Sequence, residues 1–145
     1  MRKQWSETLR AQFEIEFFEK HPEFERDLDA EKLLPSEMSV YRRRCGEHKA
    51  VFIVLFLSPK RGSFTFEGAW SEDGKFPTVG LALLPEEAVS VSSGIVRIGA
   101  FLPGEEMDHW WWLRNESSIP SVLKESLEAV DGYLVPFVLR FCASP

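Results

Sequence analysis

Apolar residues recur every four positions at Trp5, Leu9, Phe13 and Phe17, with Phe18 beside them and Glu7, Arg10, Glu14 and Glu16 elsewhere around the turn. That spacing predicts an amphipathic helix. Pro22 disfavours helical geometry in the residue before it, so the helix should stop near His21. Pro22 is then placed to open a second, shorter helix, with Phe24, Leu28 and Leu33 toward the core and Leu34–Pro35 as its end.

From Met38 the period changes to two, Val40, Arg42 and Arg44 alternating with Tyr41 and Arg43, which predicts a strand with one strongly polar face. A hairpin turn at Gly46–Glu47 leads into Ala50 to Leu57, a continuously apolar run that fits a central strand covered on both faces. After a turn over residues 58–62, Phe64, Phe66, Gly68 and Trp70 alternate with Thr65, Glu67 and Ala69. This is a third strand with an aromatic inner face, and Gly68 marks a close approach or a bulge. Residues 71–93 lack a period and read as a loop with one short helical turn, followed by a fourth strand over Ile95 to Phe101. The segment Asp108 to Leu113 fits a short strand or a turn of helix equally well. Ile119, Leu123, Leu127, Val130, Leu134, Phe137, Val138 and Phe141 then follow helical spacing, and Pro136, which removes a backbone donor, predicts a kink in that helix.

These elements predict a single α+β domain over residues 1–145. Its sheet is mainly antiparallel with four to five strands, and its N-terminal and C-terminal helices pack on one face. Composition agrees with one domain: 145 residues, 44% hydrophobic, 28% charged and 13% aromatic. The run from Ala50 to Leu57 is far short of the roughly 20 apolar residues that cross a bilayer, so no membrane association is expected.

Charge changes the picture by its position. The net charge of -6 argues against sequence-independent nucleic-acid binding. Residues 6–37 hold ten acids against four bases, whereas residues 38–49 hold Arg42, Arg43, Arg44 and Lys49 against Glu47. Either the basic strand captures an anion or acidic partner, or it pairs with the acids just before it. Cys45 and Cys142 match neither metal-ligand spacing nor a CxxC pair, and a bond between them is left open. Met1–Arg2–Lys3 is basic, but Gln4, Ser6, Glu7 and Arg10 stand where a signal peptide needs an apolar core. The reading is a cytoplasmic protein with reduced thiols.

Candidate chemistry gathers at two places. Glu105, Glu106, Asp108 and His109 beside Trp110, Trp111 and Trp112 combine carboxylate, imidazole and aromatic surface, with Asp108 and His109 as the candidate catalytic pair. Three consecutive tryptophans cannot share one face, so at least one should lie away from the core, where it suits an interface. Arg42 and Arg44 lie roughly 6–7 Å apart on one strand face, suited to holding phosphate or carboxylate, and Arg97 joins them only if its strand is a neighbour. His21 and His48 are isolated, and no metal, nucleotide, cofactor or nucleophile-elbow motif is present.

The order of segments, with Ser39-Val-Tyr-Arg-Arg-Arg44, Phe64-Thr-Phe-Glu67, Val96-Arg-Ile-Gly99 and Asp108-His-Trp-Trp111 before a long final helix, resembles small bacterial proteins catalogued as domain of unknown function 4304. The third tryptophan and the acidic second helix depart from that pattern. The resemblance implies helices on an antiparallel sheet and supplies no catalytic residue. The function expected is a small interaction or immunity-type binding domain with a protein partner or a second copy of itself. It would bind through Arg42, Arg44 and Arg97 or through Trp110 to Trp112. The alternative is a ligand-binding or enzymatic domain with an arginine-lined anion site.

Overall fold

The computed structural model describes residues 2–77, 82–104 and 107–143. Helix α1 (Arg2–Lys20) is followed by a two-residue strand β1 (Glu25–Arg26) and a single helical turn α2 (Leu28–Glu31). The meander β2 (Met38–Cys45), β3 (Lys49–Ser58) and β4 (Ser63–Ser71) comes next. Then follow α3 (Pro85–Ala88), β5 (Gly94–Arg97), β6 (Trp111–Trp112), α4 (Ile119–Ala129) and α5 (Val135–Ala143). Neighbouring strands run β1-β2-β3-β4-β5, with β6 also on β4, and the pairings are antiparallel. The α+β fold of the sequence reading is the fold observed, with both two-residue strands added to the sheet.

One face of the sheet is covered by helices. Trp5, Leu9, Phe13 and Phe17 of α1 and Leu123, Leu134 and Val138 of the C-terminal helices bury Tyr41, Ile53, Leu55, Phe66 and Trp70. Full burial of each large apolar side chain contributes about 1.5–3 kcal/mol, so this layer carries most of the stability. The other face holds a smaller cluster of Val40, Phe52, Val54 and Ala69, roofed by Ala30, Leu34 and Phe76. The β2 face that carries Arg42 and Arg44 is therefore apolar at its Val40 end.

Three boundaries differ from the sequence reading. Pro22 does not open a helix: Glu25 and Arg26 pair with Arg42 and Tyr41, and Asp27 caps α2 by accepting from the Ala30 N–H. Leu28 and Leu33 are accordingly 58% and 75% exposed, and Ala30 takes the inner position. The fourth strand ends at Arg97, and Ile98–Phe101 form a 3-10 turn. Ahead of Pro136 the helix widens into a π turn at Val130–Leu134, where the Val135 N–H donates to the Val130 carbonyl, so the donorless proline falls in the first turn of α5.

Gly68 is the point of closest approach between sheet and helix. A Cβ there would lie 2.8 Å from Val138 Cγ1 and 2.9 Å from Leu134 Cδ1. The expectation of reduced thiols is corrected: α5 crosses the end of β2 and Cys142 is bonded to Cys45, with the Cα atoms 4.9 Å apart. The bond ties positions 97 residues apart in sequence.

Two outcomes follow. Gly68→Ala should overpack the helix–sheet contact and cost about 1–3 kcal/mol in a urea titration; unchanged stability would mean that α5 lifts freely from the sheet. Replacing both cysteines by serine should cost about 2–4 kcal/mol relative to the oxidised protein, and equal midpoints would show that the cross-link constrains nothing.

Candidate binding site

The outer edge of β4 is shared by two short strands. β5 pairs with Glu67 to Trp70 and β6 with Ser63 and Phe64. The chain enters β6 through Asp108, His109 and Trp110, and the Thr65 hydroxyl donates to the His109 carbonyl across the gap between the two pairings.

Alternation along this segment sends the tryptophans to different sides. Trp111 joins the helix-covered core, stacked on Phe64 at 6.0 Å and edge-on to Phe66 at 5.9 Å. Trp110 packs edge-on against Phe56 of β3 with ring centroids 5.5 Å apart. Trp112, level with Ser63 in the register, is 57% exposed.

Phe56, Thr65, Glu67, Arg97, Asp108 and Trp110 line a groove of about 120 Å³ on the face not covered by the helices. Arg97 organises its charges. Its Nη1–H donates to Asp108 Oδ1 at 2.6 Å, and its Nε lies 3.4 Å from Glu67 Oε2. Asp108 is open to solvent, whereas the Glu67 side chain is only 13% exposed. Burial raises the Glu67 pKa above its ordinary value; the Arg97 charge opposes this and the Asp108 carboxylate adds to it. A buried carboxyl, a guanidinium and an aromatic wall in one cleft mark a candidate functional site. A larger hollow of about 270 Å³ sets Lys49 and Glu72 beside Trp70 and Phe141, but Glu72 is exposed and no arginine lines it.

The residues singled out in the sequence are only partly gathered here. Asp108, Arg97 and Trp110 meet in the groove. The His109 ring packs edge-on against Trp111 at 4.5 Å. Glu105 and Glu106 lie outside the described residues. Arg42 and Arg44 share the sheet face with Arg97, but β3 and β4 intervene, a separation of about 14 Å at ordinary strand spacing. The three arginines therefore form no platform.

Arg42 lies 3.7 Å from Glu25 and 4.0 Å from Asp27, the pairing of the basic strand with the acids before it. Arg44 is exposed and borders a separate hollow of about 180 Å³ with Arg42, His48, Asp73 and Lys75. His21 is not isolated: its Nε2 lies 2.8 Å from Asp131 Oδ1, and Lys20 reaches the other oxygen at 2.9 Å.

Glu67, Thr65 and Phe56 are the groove residues that sequence reasoning missed. Thr65 and Glu67 are the polar positions of β4 opposite its aromatic set, and that alternation was the available signal. No protein-family model matches the chain, nor does any curated protein or solved structure.

Because burial raises Glu67, the native state keeps that proton to higher pH than the unfolded chain, whose carboxyl titrates near 4.5. The native state then binds more protons, and the contribution of this group to stability falls as pH rises above that value. Glu67→Gln cannot ionise. Its melting temperature relative to wild type should therefore climb from about pH 4 to about pH 7. A difference that falls over that range would mean that the Arg97 pairing outweighs burial.

Proposed function

We propose that this chain is a binding domain that holds a protein partner on the open sheet face at Trp110 and Trp112, flanked by Phe56, Arg97 and Asp108. The observation that carries the reading is the split of the tryptophan triplet: Trp111 is 6% exposed in the core, whereas Trp112 is 57% exposed on the other side. Tryptophan and arginine concentrate binding energy at interfaces, and here both stand in one patch with a carboxylate. The arginines give less support to an anion site. Arg97 already faces Glu67 and Asp108, and Arg42 faces Glu25 and Asp27, so an anion would have to displace carboxylates at either place.

Resemblance to the domain of unknown function 4304 proteins belongs to the same proposal and brings no activity with it. The cytoplasmic setting is the part that the Cys45–Cys142 bond weighs against, since such bonds persist mainly in oxidising compartments.

Affinity purification from the native host should recover a partner in stoichiometric amount. Trp112→Ala and Trp110→Ala should lose it, whereas Ile15→Ala, an exposed position on α1, keeps it. Recovery of no stoichiometric partner, or retention by both tryptophan variants, would sink the reading. A partner identical to the bait would assign the patch to a homodimer, which sedimentation at increasing concentration would confirm.

A further inference from the structure

The groove beside Trp110 has more specific chemistry than an apolar anchor point. Its lining contains two carboxyl groups, Glu67 and Asp108, and one cation, Arg97, which contacts both. Burial keeps the Glu67 proton to higher pH than an ordinary carboxyl, and once Glu67 ionises one negative charge has no counter-charge within the lining. That charge stands next to an indole ring, whose π face attracts cations. Asp108 is 59% exposed, so it is reachable from outside. The groove has a volume of about 120 Å³ and is open to solvent on one side. Its size suits a cationic head group on an aliphatic stem.

We propose that this groove receives a basic side chain, lysine or arginine, from the protein partner, with its aliphatic stem against Trp110 and Phe56 and its charged head at Asp108 and Glu67. The proposal rests on the binding-domain reading and names the partner's chemistry: a basic surface that meets a chain of net charge -6. Arg97 is then a positioning residue. It holds the two carboxyls on one side of the groove and leaves Asp108 one oxygen beyond the atom it contacts at 2.6 Å. The Thr65 bond to the His109 carbonyl fixes the wall that carries Trp110 relative to β4. Entry of a cation favours the ionised form of Glu67 and so opposes the effect of burial.

The test uses n-butylguanidinium chloride as a probe, titrated at constant ionic strength into the isotope-labelled full chain. The Trp110 indole N–H and the backbone N–H groups of Thr65, Glu67 and Arg97 should shift along one saturable curve. Sodium butyrate should leave them in place, and Asp108→Asn, a change at an exposed position, should weaken the response about tenfold. Glu67→Gln gives a second reading where Asp108→Asn alters the loop. Shifts scattered over the acidic surface, an equal response to butyrate, or undiminished binding by both variants would overturn the proposal.

The probe needs no partner, so the two readings fail separately. A captured partner lost by Trp112→Ala together with a silent groove keeps the binding domain and removes the basic side chain. A saturable groove response upholds the cation site whatever the purification recovers.

Discussion

The constraint on which the rest of the structure depends is that β3 is apolar on both sides. From Ala50 to Leu57 every residue is at or below 1% exposed except Phe56. A strand of that kind must be covered twice, and a chain of this length has helices enough for one full cover. The helix-covered side takes them: α1 and the C-terminal helices meet there, and Gly68 lets α5 come into contact with β4. The other side is covered by smaller pieces: Ala30 of the α2 turn, Leu34 just after it, and Phe76 from the loop after β4. That cover ends at Phe56, and Trp110 packs on it from the far end of the chain. The groove lies where the second cover is assembled from the side chains of a loop.

The charges follow from the same economy. The acidic segment before β2 contributes to its exposed edge: β1 pairs with it, Asp27 donates its N–H to the Val40 carbonyl, and Glu31 accepts from the Val40 N–H. Glu31 also takes two hydrogen bonds from Arg26 at 2.9 Å, and Arg26 approaches Glu14 of α1, which accepts from the Tyr41 hydroxyl. An edge strand that would otherwise offer unpaired backbone groups is closed by β1, by the Asp27 N–H and by the Glu31 carboxylate. The concentration of acids in residues 6–37 is thus in part a structural device for β2.

Long periodic stretches were legible from the sequence because one interaction dominates each. The four-residue spacing of Trp5 to Phe17, the apolar run of β3 and the alternating aromatics of β4 all correspond to buried positions. What was illegible depended on partners distant in sequence. Nothing local to Glu25–Arg26 signals a strand, because those residues are held by Tyr41 and Arg42. Cys45 and Cys142 meet only once α5 has docked, and Asp131 finds His21 across 110 positions. The groove was half legible: Arg97, Asp108 and Trp110 were noticeable as residue types, whereas Glu67 became significant only when β5 put Arg97 opposite it.

The split edge of β4 explains why these particular side chains converge. Had β5 continued along the whole of β4, as the apolar pattern through Phe101 suggested, Thr65 would have been paired with backbone and the surface above it closed. Instead β5 stops at Arg97, the last residue still opposite Glu67, and the 3-10 turn at Ile98–Phe101 takes the chain off the edge. The chain returns at Asp108, close enough to Arg97 for a 2.6 Å hydrogen bond, and resumes pairing at Trp111. Each pairing is only a few residues long, so neither strand is held firmly by backbone bonds alone. Trp111 in the core on one side and Trp110 on Phe56 on the other anchor the returning segment by packing. The triplet that cannot share a face works as a clamp over the sheet edge, and Trp112 is the member that the clamp leaves exposed, at 57%.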